Sequence, residues 1–90
     1  MSKVYRVTAH DLKSDFQVNE FVFSSKLKAE KTAEDYKKYL ISNHDLNKEN
    51  TEEHIKSGIF HPKKTIWYLD NKYTVTLSEH IIEKKVIKFD

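Results

Sequence analysis

The chain has 90 residues and no cysteine, with a single glycine (Gly58), proline (Pro62) and arginine (Arg6). Without cysteine there is neither a disulfide framework nor a thiolate metal site, a composition that fits a reducing compartment. One glycine is too few for a phosphate-binding loop, a dinucleotide fingerprint or a nucleophile elbow, each of which needs several for close backbone approach. No apolar run approaches the roughly 18 residues of a membrane span, and residues 1–23 hold no signal-peptide core. The expectation is a single domain in the cytoplasm of a host cell, with no membrane partner.

Charge of one sign is also missing. Lys and Arg total 16 against 14 Asp and Glu, a formal net charge of +2. Residues 45–61 carry −2, and no segment concentrates the basic field typical of nucleic-acid binders. Nearly every cation is lysine, a point charge without the planar fork that reads guanine edges, so sequence-specific duplex readout is disfavoured.

What the chain does have is periodicity. Ala29, Ala33, Tyr36 and Leu40 step by four, three and four residues, one narrow line on a helix over residues 25–41. Ser24 or Ser25 can cap it, Glu34 and Lys38 stand in favourable i,i+4 order, and Asn43, His44 and Asp45 read as its stop. Residues 3–10 and 16–23 alternate as strands around a turn rich in Asp and Ser. Tyr5, Val7 and Ala9 share one face. Phe21, Val22 and Phe23 break the alternation, which implies a bulge near Glu20 or an end buried on both faces. Residues 65–69 and 73–77 form a second hairpin around Asp70, Asn71 and Lys72, with Ile66 and Tyr68 on one face and Trp67 and Leu69 on the other, and Thr74 and Thr76 opposite Tyr73, Val75 and Leu77. Asn50 and Glu53 suggest a short helix over residues 51–57, ended by Gly58. Residues 78–90 suit either a strand or a terminal helix, and strand is preferred. The expected fold is α+β: an antiparallel sheet of four or five strands with one main helix on one face, order ββα(α)ββ(β).

Catalysis and metal binding have little to stand on. The five histidines, His10, His44, His54, His61 and His80, match no zinc spacing, and Gly58 and Pro62 interrupt any helix that would align His54 with His61. His44 beside Asp45 or Glu49 is the one acid–base pairing, and adjacency does not orient the two groups together. No catalytic residue, metal or cofactor is assigned, and the protein reads as a non-enzyme.

Surface chemistry is the stronger signal. Asp45, Glu49, Glu52 and Glu53 form an acidic stretch, either solvated or set against a basic partner. Tyr36, Tyr39, Phe60, Trp67, Tyr68 and Tyr73 are too many to bury together. A one-layer sheet then exposes Trp67 or Tyr68 unless the terminal segment covers that face. The partner-contact candidates are therefore Tyr39, Trp67, Tyr68, Asp45, Glu49, Glu52 and Glu53. Lys63, Lys64 and Lys72 beside Trp67 and Tyr68 define an alternative, a single-stranded nucleic-acid surface. Self-association as a structural module is a third possibility.

The strand KVYRVTAH, the Ser14–Asp15 turn and the FVFSSKLKAEK junction resemble a loose group of short phage and prophage proteins of low-GC bacteria. Only six Gly, Ala, Arg and Pro residues occur, in keeping with an AT-rich gene. The resemblance implies a mobile-element accessory protein, similar in size and character to inhibitors of CRISPR nucleases or other defence enzymes. Such a protein would act by steric occlusion of a host protein.

Overall fold

The computed structural model describes residues 2–57 and 63–82. Two strands, β1 (Ser2–Asp11) and β2 (Phe16–Phe23), lead into helix α1 (Lys26–Asn43). Three more follow: β3 (Thr51–Lys56), β4 (Lys64–Leu69) and β5 (Tyr73–Ile82). Every strand pairing is antiparallel, and the spatial order is β2-β1-β5-β4-β3. The fold is α+β: among the described residues, a five-stranded sheet with one helix between β2 and β3. Three neighbouring pairs are sequential, and the fourth joins β1 to β5 over ten residue pairs, from Ser2↔Ile82 to Asp11↔Tyr73. Helix α1 therefore carries the chain from one sheet edge to the other.

The helix forms where the apolar line predicted it, with two further residues at its end. Ser25, at φ −101° and ψ 122°, accepts from the Lys28 N–H at 3.3 Å and caps the first turn. At the other end Asp45 takes φ 51°, the left-handed conformation usually given to glycine. The Leu46 N–H then donates to the Ile41 carbonyl at 2.9 Å, and Leu46 itself is buried. Ala29, Ala33 and Leu40 are fully buried against Val7, Ala9, Leu69 and Val75. Small side chains on both surfaces let helix and sheet approach closely.

Register assigns the faces. Tyr5, Val7 and Ala9 on β1, Tyr73, Val75 and Leu77 on β5, and Trp67 and Leu69 on β4 lie on the helix side. The phase break in β2 is a bulge: Ala9 opposes Asn19 while His10 opposes Gln17, leaving Val18 unpaired. It lies two residues before Glu20 and sets both Phe21 and Phe23 towards the helix, where they pack on the core. Val22 turns outward and is 58% exposed. On the far face the central rows are hydroxyls, Thr8, Thr74, Thr76 and Ser78, all buried.

The hairpin turns do without glycine. Asp70 and Asn71 both have φ 51°, and the Lys72 N–H donates to the Leu69 carbonyl at 3.0 Å, a type I′ arrangement. Asp and Asn tolerate this region better than other side chains.

The expected short helix over residues 51–57 is a strand instead. Residues 51–56 pair with β4 from Thr51↔Leu69 to Lys56↔Lys64, so β4 satisfies the backbone groups that face it. A helix of seven residues carries the full cost of nucleation for very few hydrogen bonds. Asn50, read as its cap, instead donates from Nδ2 to Asp70 Oδ1 at 3.0 Å, and its carbonyl accepts from the Asp70 N–H at 2.9 Å. β5 runs on past Leu77 to Ile82, so the preference for strand holds that far. Gly58, proposed as a helix terminator, and residues 83–90 lie outside the described residues.

Three carboxylates are held below their ordinary range. The Arg6 guanidinium hydrogen-bonds Glu20 across β1 and β2. Asp70 accepts from Asn50 and from the Asn47 N–H, which ties the loop before β3 to the β4–β5 turn. Lys3 donates to Glu79 at 3.0 Å, and the Lys3 ammonium is raised in return. A depressed carboxylate stabilises the fold above its unfolded pKa and loses that contribution as pH falls through its folded value. The raised lysine acts in the opposite sense, contributing fully at lower pH and fading only above its ordinary value. Between pH 7 and 3 the carboxylates therefore govern, and the urea midpoint is expected to fall mostly below about pH 4. Asp70→Asn should flatten part of that slope in urea titrations at the two pH values. An unchanged slope would remove Asp70 from this role.

Candidate protein-binding groove

Helix α1 lies over β1, β5 and β2 and leaves the β4–β3 side of its own face uncovered. The result is a groove of about 290 Å³ between the helix flank and the β3 edge. Trp67, Thr65 and Leu77 form its floor, and Glu53 and Ile55 of β3 form one wall. Glu30 and Glu34 of α1 form the other, with Lys26, Lys63 and Glu79 at one end.

Each wall follows from local periodicity. Glu30 and Glu34 are one helical turn apart, with Lys37 three residues further, so all three line one flank of α1. Glu53 stands directly opposite Trp67 in the β3–β4 pairing, and Ile55 opposite Thr65. Lys37 Nζ lies 4.1 Å from the centroid of the Trp67 ring and pairs with Glu34. This i,i+3 pair replaces the expected Glu34–Lys38 pair, because the indole holds Lys37 on the groove side. Among the described residues neither Glu30 nor Glu53 has an ion-pair partner. The groove thus offers an apolar floor, one aromatic face holding a cation, and two uncommitted carboxylates.

The seven expected contact residues occupy four places. Trp67 and Glu53 meet in the groove. Tyr68 and Glu52 are paired on the opposite face, where His54 sits 3.3 Å from Glu52 and packs edge-on to the Tyr68 ring at 5.0 Å. Tyr39 lies on the other helix flank, towards β2, and is 53% exposed. Asp45 and Glu49 are exposed in the loop leaving α1. The acidic stretch is therefore not one patch: a strand sends Glu52 and Glu53 to opposite faces. Trp67 and Tyr68 are both only part-buried, and Trp67 is shielded by Lys37 rather than presented on the open face.

The lysines do not assemble into a track. Lys63 and Lys64 stand at the start of β4 while Lys72 is in the turn beyond its other end, a strand length of roughly 20 Å away. Lys72 is 3.7 Å from Asp70.

The histidines are dispersed. His44 stacks on Tyr73 at 4.5 Å, with Nδ1 3.3 Å from the tyrosine hydroxyl, so it turns to β5 rather than to Asp45 or Glu49. His80 is 2.9 Å from Ser78 Oγ, His54 is at the β3 edge, and His61 lies outside the described residues. Among the described residues no three His, Asp or Glu side chains converge on a metal position. No described helix is long and apolar enough to cross a membrane.

The chain matches no family model, no curated protein and no solved structure.

Sequence reasoning reached Trp67 and Glu53 and missed Glu30, Glu34, Lys37 and Ile55. The helical spacing of Glu30, Glu34 and Lys37 was visible. Which strand they would face was not.

Proposed function

We propose that the chain is a non-enzymatic protein-binding module that holds a basic segment of its partner in the groove beside β3. The observation that carries this is Lys37: two of the groove's lining residues, Trp67 and Glu34, already hold its ammonium between an indole face and a carboxylate. A partner lysine or arginine finds two further carboxylates one turn along, Glu30 and Glu53, for its charge. Ile55, 60% exposed, and Leu77 can take its aliphatic stem. β3 is an edge strand, so an extended segment can add main-chain hydrogen bonds to side-chain contacts. The biological role we propose is inhibition by occlusion of a host protein, such as a CRISPR nuclease or another defence enzyme. A phage-type accessory protein of this size fits that role.

Trp67 is the sole tryptophan, so its emission reports on the groove alone. Titration with an unstructured lysine- and arginine-rich peptide should shift that emission saturably, and the effect should shrink with salt. Glu53→Gln and Glu30→Gln should each weaken binding about 2- to 5-fold, the scale of a partly exposed ion pair. Equal response to an acidic peptide, or none at millimolar concentration, would defeat the proposal. A single-stranded oligonucleotide is the comparison arm. Tighter binding to it, falling steeply with salt and lost on Lys63 and Lys64 substitution, would favour the nucleic-acid alternative.

A further inference from the structure

The two sheet edges differ in a way that concerns a second copy of the chain. β3, TEEHIK, is short and carries Glu52, Glu53 and Lys56, the charges that normally protect an edge from pairing. β2, FQVNEFVF, has eight residues, no lysine and no proline. Phe16 is 72% exposed, and Val18 and Val22 are exposed as well. Its one charged side chain, Glu20, is bound by Arg6 of the neighbouring strand, so the edge as presented is electrically neutral. The bulge at Val18 bends one end and leaves residues 19–23 regularly paired to β1, with their outer backbone groups facing no described strand.

We infer that β2 pairs antiparallel with β2 of a second copy, about a two-fold axis crossing residues 19–23, to form a continuous ten-stranded sheet. Antiparallel pairing of one strand with itself is isologous, so each contact occurs twice. A strand without net charge meets its copy without repulsion, whereas β3, with two glutamates and one lysine, would bring a net negative charge to its own copy. The helix flank supplies the matching relief. Over each β2 lies a shallow depression of about 370 Å³ lined by Asn19, Thr32, Asp35, Tyr36 and Tyr39. Across the two-fold axis the exposed Tyr39 ring of one copy meets the depression of the other. Tyr36 and Phe21, whose centroids are 5.6 Å apart, form a firm base for it. Self-pairing through β2 leaves both grooves open at the outer edges, and it holds or fails independently of what fills them.

The interface is of modest size, so association should depend on concentration. Light-scattering mass is expected to rise from 10.7 kDa towards twice that value between about 5 and 500 µM. Val18→Lys with Val22→Lys places lysines on the β2 edge and should hold the protein at the monomer mass throughout, with an unchanged circular dichroism spectrum. A native chain that stays monomeric over the whole range, or a folded double variant that dimerises as before, overturns the inference. Because the chain has no cysteine, single nitroxide labels provide a second readout. Labels at Val22→Cys should lie roughly 20 Å apart or less. Labels at Ile55→Cys, on the outer edges, should be roughly 43 Å apart across nine strand spacings. The reverse pattern would place the interface on β3 and also overturn it.

Discussion

Replacing Leu40 with alanine is expected to lower the unfolding free energy by about 3 kcal/mol, and the melting temperature by roughly 10–25 °C. Leu40 is fully buried, in one cluster with Val7, Ala9, Leu46, Leu69 and Val75. Four of those five neighbours are on strands and the fifth, Leu46, is on the loop that closes the helix, so none can move into the space without losing its own contacts. The lost side chain therefore removes both its transfer energy and the contacts of the atoms lining the void. A domain of this size is stable by only about 5–13 kcal/mol, so the loss is a large share of the whole. Urea titration followed by circular dichroism measures it. Lys38→Ala, an exposed position on the same helix, should stay within about 0.5 kcal/mol and serves as the control. A Leu40→Ala cost no larger than the control would mean that the helix end is not seated on β1 and β5.

Ala33→Leu tests the same interface from the opposite side. Ala29 and Ala33 have no exposed surface, and they belong to the cluster that includes Val7 and Ala9. With methyl groups at the contact, the helix backbone rides close to the sheet. A leucine there needs space that the close approach has removed, and the cost expected is about 1–3 kcal/mol despite the added hydrophobic area. The helix must lift or rotate to accommodate it. Lys37 is one turn further along, so the same displacement should weaken its contact with Trp67. Trp67 emission should then move to longer wavelength in the folded variant, which separates a shifted helix from a merely destabilised one. A variant as stable as the parent, with unchanged emission, would show that the alanines are not what sets the helix height.

Much of the fold was legible because it is encoded locally. The line Ala29–Ala33–Tyr36–Leu40 marks the buried stripe of α1, and three of those four residues are fully enclosed. Alternation in β1, β4 and β5 assigned the faces correctly, including Trp67 and Leu69 on the side opposite Ile66 and Tyr68. The Asp70–Asn71 turn was visible since few other residues accept positive φ. The misreading of residues 51–57 has a specific cause. Asn50 and Glu53 carry a helix-start pattern, but the partner that claims Asn50 is Asp70, 20 residues away, and no local signal announces that hydrogen bond.

The candidate groove was half legible for the same reason. Trp67 and Glu53 stood out by residue type, while the helix flank that faces them became identifiable only with the crossing of α1 over the sheet. A carboxylate on a helix looks the same in sequence whether it meets solvent or a neighbouring strand.

By itself, then, the sequence determined the elements whose signals lie within a few residues: one helix with its caps, the strand faces, two of the turns, and the chemistries that one glycine and no cysteine forbid. Tertiary structure alone decided that β1 lies beside β5, that residues 51–56 complete the sheet, and that β2 and β3 become its edges. The physical reason is that backbone hydrogen bonds between strands are the same for every residue type, so side chains select a face far more readily than they select a neighbour. Which neighbour wins depends on the whole set of pairings being satisfied together, and for β1 and β5 that means closing a separation of 62 to 80 residues.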